Sequence, residues 1–432
     1  MTRTISGLRW VIIGLIGLAT VINYIDRNAL AVMWPAVSQD IGADKTDYAL
    51  LVTAFMLAYA VGQSLFGRVL DVIGTRAGFV VSIAIWSLSI AAHSLVRSLG
   101  LLTLLRVTLG VSEAGNWPGA VKASATWFPA RERALALGIF NSGAAIGAII
   151  SAPLVALLYV ALGWRATFLL VGVIGILWLL PWWVVYRSDP GGHPWLSAAE
   201  RAHIAGEDRP DGAAAIPGYR PGMAQLLRHR ESWAIIVSRF FLDPIWWLFV
   251  AWLPIYLAET FGFDVKQIGL FGWVPYVGAM LGSLIGGWAS GVLIRRGWQA
   301  LRARQAIVTV GGVIMLPALL ATAMAATPLS AVLLIAVILF GFQVAINNIQ
   351  TLPSDYFDGG AVGSLAGIGG TAAVAGTLIT TWLVPAMTTH GYAPIFLLGA
   401  AIVPLGVAAV WALGGRAPVA PSPSHPSQEF HA

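Results

Sequence analysis

Apolar runs long enough to cross a bilayer recur along the chain, each closed by Gly, Pro or a charge. They fall near residues 10–34, 47–67, 77–96, 99–121, 133–159 and 165–186, then near 232–258, 267–293, 304–325, 328–352, 360–387 and 392–414. A helix needs about 20 apolar residues to cross the hydrocarbon core. The pattern therefore predicts an all-α polytopic membrane protein with 12 transmembrane helices in two six-helix bundles. The first bundle covers residues 1–187 and the second 232–415, joined by a polar linker at 188–231. Within the linker, Ser197 and Glu200 have the spacing of a capping box, which predicts a short interfacial helix. The Pro- and Ser-rich stretch 416–432 reads as a disordered cytoplasmic tail.

Composition agrees with the pattern and removes other classes. Of 432 residues, 58% are hydrophobic and 10% charged, against about 25% charged in a soluble domain. The absence of Cys excludes disulfides, iron–sulfur clusters and thiolate metal sites. The seven His sit almost entirely in predicted loops or tails without an H-x3-H pair, so no metal site is expected. No nucleophile–base cluster shows within the spans, so an enzyme is not expected either. The basic residues follow the topology. Arg68, Arg76, Arg131, Arg133, Arg295, Arg296, Arg302 and Arg304 fall on the side of the N-terminus, while Lys45, Arg97, Arg165 and Lys266 fall on the other. By the positive-inside rule both termini are cytoplasmic. The net charge of +6 then reflects topology and contact with anionic lipid, and no nucleic-acid partner is expected. The start of the chain imitates a signal peptide, with Arg3, Arg9 and Ala29-Leu30-Ala31 as a cleavage site. Cleavage there would discard a charged motif and leave an odd number of spans, so the first helix is read as uncleaved.

The halves echo each other. Gly62, Gly67 and Arg76 recur as Gly282, Gly287 and Arg296, at an offset of 220; Phe128, Gly138 and Gly147 recur as Phe357, Gly367 and Gly376, at an offset of 229. Two repeats enclosing a site at the midplane is a transporter design, because rocking one half against the other exposes that site to each side in turn.

Ionisable residues inside the spans mark that site. They are Asp26 and Arg27 in the first span, Arg106 and Glu113 in the fourth, and Asp243 in the seventh. Each costs roughly 2.5–3.5 kcal/mol at the bilayer centre on an insertion scale, so they must face the interior and neutralise one another or a permeating ion. Arg27 admits two uses: capture of a substrate carboxylate, which a guanidinium matches bidentately, or an internal ion pair with Asp26 or Glu113. Arg106 either contacts substrate or ties helices together. Asp26 and Glu113 either carry protons or serve as fixed ionised partners. Asp243 precedes Pro244 and reads as the cap of a broken helix. Tyr24, Tyr59, Asn141 and a span-10 stripe of Gln343, Asn347 and Gln350 supply neutral donors and acceptors, suited equally to a hydroxyl-rich solute and to helix–helix bonding. Trp246 and Trp247 fit the flanks of a sugar-sized site or ordinary packing.

Gly67-x3-Asp71-x2-Gly74-x-Arg76, between the second and third spans, resembles the loop motif of the major facilitator superfamily, with Val72 where a basic residue is usual. Asp71 can sit at a helix N-terminus, and Arg76 supplies a charge that locks the closed arrangement. The second copy has Gly291 in place of the Asp, which predicts weaker locking in that half. NYIDRN at 23–28 and the stretch from Ser112 to Ala148 resemble the anion:cation symporter branch, and within it bacterial hexuronate and sugar-acid (galactonate-type) carriers. The resemblance implies that Arg27 binds the substrate carboxylate, that Asp26 and Glu113 carry protons, and that Tyr24, Tyr59, Asn141, Asn347 and their neighbours line the site. It also implies a functional monomer in a bacterial inner membrane, importing a hexuronate or aldonate with protons as the coupling ion and no other cofactor. In the coupling scheme this suggests, ionised Asp26 neutralises Arg27 and its protonation frees the guanidinium for substrate. The alternatives are carriage of an aromatic or short-chain carboxylate, a sugar-acid sensor, and a membrane enzyme.

Overall fold

The computed structural model describes residues 4–205, 221–357, 359–389 and 391–415. Linker residues 206–220 and the tail at 416–432 lie outside the described residues. Six helices precede the linker: α1 (Leu8–Ile41), α2 (Lys45–Ile73), α3 (Thr75–His93), α4 (Leu99–Glu113), α5 (Asn116–Trp127) and α6 (Ala130–Val185). The short α7 (Ala198–Ala205) and α8 (Met223–Leu226) belong to the linker. Seven follow: α9 (Arg230–Phe261), α10 (Val265–Phe271), α11 (Val274–Arg295), α12 (Ala300–Thr322), α13 (Pro328–Tyr356), α14 (Gly359–Met387) and α15 (Ala393–Ala412).

Ten of the described helices are long and apolar enough to cross a membrane. One of them, α6, is 56 residues long and turns back at Gly163, whose φ of 76° belongs to the left-handed region open to glycine. It therefore crosses twice, as the fifth and sixth spans. The fourth span is the pair α4–α5, broken at Ala114–Gly115. Pro118 has no N–H for the carbonyl four residues back, and Gly115 lies against Ser82 and Phe66, where a Cβ would collide. Together these make the twelve crossings expected. The eighth is likewise divided, into α10 and α11 ahead of Pro275. By contrast α9 runs unbroken through Pro244 and Pro254, so Asp243 caps no broken helix.

Burial follows the two sets of spans. One apolar core gathers Phe79, Trp86, Phe168, Trp178 and Trp182 from α3 and α6; the other gathers Leu242, Phe249, Tyr256, Ile335 and Phe396 from α9, α13 and α15. Val61, Val160, Val313 and Trp382 point outward and stay exposed, as side chains facing lipid must.

The repeated glycines hold equivalent places. Gly62 packs on Val111 of α4, and Gly282 on Phe340 of α13. Between the halves, Gly67 of α2 meets Gly363 of α14, while Gly287 of α11 meets Ala134 of α6; Gly138 meets Ser283, and Gly367 meets Gln63. Gly147 faces Tyr24, and Gly376 faces Pro244, which is Tyr24 displaced by the same 220 residues. In each case the neighbour is backbone or a Cβ-level atom, so only a residue without a side chain lets the helices approach. Gly67→Leu is expected to leave the protein in the membrane but reduce transport at least about tenfold, because the α2–α14 contact cannot close. Cysteine accessibility at Ser364 checks this, and should rise in the variant.

The basic ends of the spans are bonded across the halves. Asp71 accepts from Lys122 Nζ at 2.6 Å and from the backbone N–H groups of Gly363 (3.1 Å) and Ser364 (2.6 Å), so it bridges to the second turn of α14 in the other half. Asp71 thus sits against the N-terminal portion of a helix across the interface, one turn inside it instead of at its cap. Arg76 does something else: it donates to the Trp183 carbonyl and stacks on the Trp183 ring within its own half, so it does not lock the halves. In the second copy, Gly291 packs against the Arg131 carbonyl. Asp355 carries the lock there, paired with Arg133 at 3.3 Å and with Arg304 at 3.1 Å.

The linker helix is tied to the same end. Ser197 Oγ accepts from the Glu200 N–H at 3.1 Å, half of the expected capping box. The Glu200 carboxylate instead caps α1, accepting from the N–H groups of Gly7 (3.0 Å) and Leu8 (3.3 Å) and from Arg9 Nη1 (2.8 Å). His193, in the loop before it, accepts from the Trp195 N–H through Nδ1 and donates from Nε2 to the Val185 carbonyl at 3.0 Å. Burial in this pocket lowers its pKa below the ordinary imidazole range.

Candidate functional site

A cavity of about 520 Å³, its open mouth included, lies between the halves at mid-helix. The first half contributes Tyr24, Tyr59, Gln63, Trp117 and Asn141; the second contributes Arg239, Asp243, Trp246, Trp247, Gln343 and Gln350. Trp246 Nε1 donates to the Tyr24 hydroxyl at 3.2 Å and joins the halves beside it. The side-chain carbonyls of Gln63 and Gln343 are buried without a hydrogen-bond partner among the described residues.

Arg27 lies directly behind the aromatic part of this wall. Its guanidinium carbon is 4.9 Å from the Tyr59 ring centre, 5.3 Å from Trp247 and Phe55, and 5.6 Å from Tyr24. A cation held against several ring faces is stabilised electrostatically by each. Its ion-pair partner is Glu113 of α4: Nη2 and Nε donate to the same oxygen, Oε2, at 3.0 and 3.3 Å. Asn23, one turn back, accepts from Nη2 at 3.4 Å. This leaves Arg27 Nη1 and Glu113 Oε1 buried without hydrogen-bond partners among the described residues.

Asp26 does not neutralise Arg27. It points to another face of α1, is 1% exposed, and neither carboxyl oxygen has a hydrogen-bond partner among the described residues. The adjacency Asp26-Arg27 suggests a pair, but successive helical positions point about 100° apart, whereas a residue on a packed neighbouring helix can face the guanidinium directly. Arg106 is buried over the Phe55 ring at 5.8 Å, makes no ion pair among the described residues, and stands outside the cavity lining. Asn116, near Glu113 in sequence, donates to Thr20 Oγ1 at 2.9 Å and joins α5 to α1.

The span-10 stripe divides between its two uses. Gln343 and Gln350 line the cavity, but Asn347 is fully buried behind it. Asn141 donates to Asn347 Oδ1 at 2.6 Å and to Gln350 Oε1 at 2.8 Å, and Asn347 donates to the Ser283 carbonyl at 2.7 Å. Asn347 therefore joins α6, α11 and α13 instead of facing the cavity.

Arg239 is the charged residue absent from the sequence expectations. It sits in α9, lines the cavity, and grips Asp243 with Nη2 to Oδ1 at 2.8 Å and Nε to Oδ2 at 3.3 Å. Its position one helical turn before Asp243 was the available signal. No group of His, Asp and Glu able to hold a metal occurs among the described residues.

Residues 16–381 match the Major Facilitator Superfamily. The chain belongs to that family, and its twelve spans around a central cavity are those of a multi-pass membrane transporter. A hexuronate transporter of Escherichia coli (strain K12) is 32% identical over 412 residues, covering 95% of this chain and 94% of its own. A galacturonate transporter of Dickeya chrysanthemi is 35% identical over 72% of this chain and 90% of its own. Among solved structures, the human organic anion transporter MFSD10 (TETRAN) aligns with a TM-score of 0.69 at 15% identity, over 94% of this chain and 100% of its own, a likeness of fold alone.

Proposed function

We propose that the protein imports an organic monoanion, a hexuronate or aldonate, across a bacterial inner membrane by proton symport with alternating access. The observation that carries this reading is the Arg27–Glu113 pair: a guanidinium directly behind the aromatic wall of the cavity, caged by its rings and held back by one carboxylate oxygen. While Glu113 is ionised, a solute carboxylate must compete with it for Arg27. Protonation of Glu113 removes the internal counter-charge, and the guanidinium becomes available for bidentate capture of the solute. The original expectation gave this part to Asp26; the geometry supports Glu113 in it. Asp26 is the second proton site, because a carboxylate without partners in a dry interior costs several kcal/mol. One monoanion with two protons makes uptake electrogenic.

The basic end of the spans and both termini lie in the cytoplasm in this reading, following the positive-inside rule. The bonds from Asp71 and Asp355 then join the halves on the cytoplasmic side of the cavity. The hexuronate and galacturonate carriers named above support sugar acids as the solute. The indole and phenyl surfaces of Trp117, Trp246, Trp247 and Phe342 suit an aromatic carboxylate as a second solute class.

Uptake of labelled galacturonate into proteoliposomes under an imposed inward proton gradient tests the proposal. Accumulation should stop when a protonophore is added. Accumulation indifferent to the protonophore would reduce the protein to a uniporter.

A further inference from the structure

Resting on the transport reading above, we propose that the Arg239–Asp243 pair is the element that recognises solute hydroxyl groups, and so sets selectivity for polyhydroxylated acids over plain carboxylic acids. Both residues are buried, at 6% and 7% exposure, and both line the cavity from α9. Trp247, one turn after Asp243 on α9, covers the Arg27 guanidinium at 5.3 Å. A solute whose carboxylate is held at Arg27 therefore lies beside α9, within one to two helical turns of the pair.

The chemistry of the pair suits hydroxyls and not a second carboxylate. Asp243 spends one lone pair of each oxygen on Arg239, so the pair is internally neutral and offers no free positive charge to an anion. Each carboxylate oxygen keeps further acceptor capacity for an O–H donor. Arg239 directs Nη1 toward the Ala366 carbonyl of α14 at a marginal 3.5 Å, which leaves that donor able to serve a hydroxyl oxygen instead. A fixed acceptor beside a fixed donor matches adjacent hydroxyls on a sugar chain. The unpartnered carbonyls of Gln63 and Gln343 add two more acceptors on the same cavity.

The internal repeat supports an active position. Displacement by 220 residues, the offset relating Gly62 to Gly282, carries Asn23 onto Asp243. Asn23 holds Arg27 in the first half, as Asp243 holds Arg239 in the second. The guanidiniums themselves are not related by the repeat, since the same displacement carries Arg27 onto Trp247: Glu113 and the solute compete for the first, and the second is bonded to its own acid.

Binding of galacturonate and of hexanoate, a six-carbon carboxylate without hydroxyls, to purified protein decides the question through the fluorescence of the cavity tryptophans. Wild type should bind galacturonate at least about 100-fold more tightly than hexanoate, because buried polar groups left unpaired reject an analogue that lacks their partners. Asp243→Asn should weaken galacturonate at least about tenfold and hexanoate less than about twofold. A merely structural tie between α9 and α14 predicts equal losses for both solutes, and that result would overturn the inference. If Asp243→Asn does not fold, the double change Arg239→Gln with Asp243→Asn, which leaves no unpaired charge, carries the same comparison. A wild-type preference close to unity overturns the inference without any variant. Wild type that binds neither solute speaks against the transport reading itself, which keeps the two failures apart.

Discussion

Arg27→Ala is expected to lower galacturonate uptake by about 150-fold or more, which corresponds to about 3 kcal/mol for a buried charge-assisted pair. The loss should appear in the apparent affinity, because the guanidinium is assigned to the solute carboxylate. Removing Arg27 also leaves Glu113 buried without its cation, a situation that costs about 3–5 kcal/mol in buried pairs. Some of the damage in the single variant will therefore be to folding. The double change Arg27→Ala with Glu113→Gln removes that stranded charge and should recover the folded protein, seen as a monodisperse peak with a restored melting temperature, while uptake stays absent. Arg27→Lys keeps charge but loses the planar fork, so it should retain a small fraction of activity. Normal uptake by Arg27→Ala would remove the basis of the proposed function.

Glu113→Gln should produce the opposite kind of defect. Glutamine has the size of a protonated glutamate and no charge, so Arg27 is left permanently available. Counterflow of galacturonate at equal concentrations should persist, whereas accumulation driven by a proton gradient should fall at least about tenfold. The pH dependence carries the sign. In wild type, galacturonate affinity should weaken as pH rises, because the ionised Glu113 competes with the solute for Arg27. In Glu113→Gln that dependence should flatten, and at high pH the variant should bind more tightly than wild type. A variant that binds more weakly than wild type at every pH would show that Glu113 supports the solute instead of excluding it.

Much of this arrangement is legible in the sequence. Apolar run length yields the twelve crossings, because the bilayer imposes a length that composition must satisfy. The repeated glycines foretell the duplication of the halves; that several of them mark the contacts of α2 with α14 and of α6 with α11 is visible only in the fold, where close helix approach leaves no room for side chains. Arg27, Glu113 and Asp26 stand out as charges within apolar segments. Which carboxylate pairs with Arg27 does not, because Glu113 is 86 positions from Arg27 in the chain and only tertiary packing brings them to 3.0 Å. For the same reason the helical stripe leaves Asn347 open between solute contact and helix bonding, and its direction is set by Ser283 on α11 and Asn141 on α6. The motif at Gly67–Arg76 assigns the lock to Arg76 on charge alone. In the fold the Trp183 ring and carbonyl satisfy Arg76 locally, and Asp71, with Lys122, does the bridging.

Competition between Glu113 and the solute for one guanidinium is the core of the mechanism, and proton release or uptake on binding measures it directly. Galacturonate added to purified protein in weakly buffered solution near neutral pH should draw protons from solution, seen as a rise in pH that grows with occupancy, and Glu113→Gln should lose most of that signal. Binding without proton uptake in wild type, or an equal uptake in Glu113→Gln, would contradict the account.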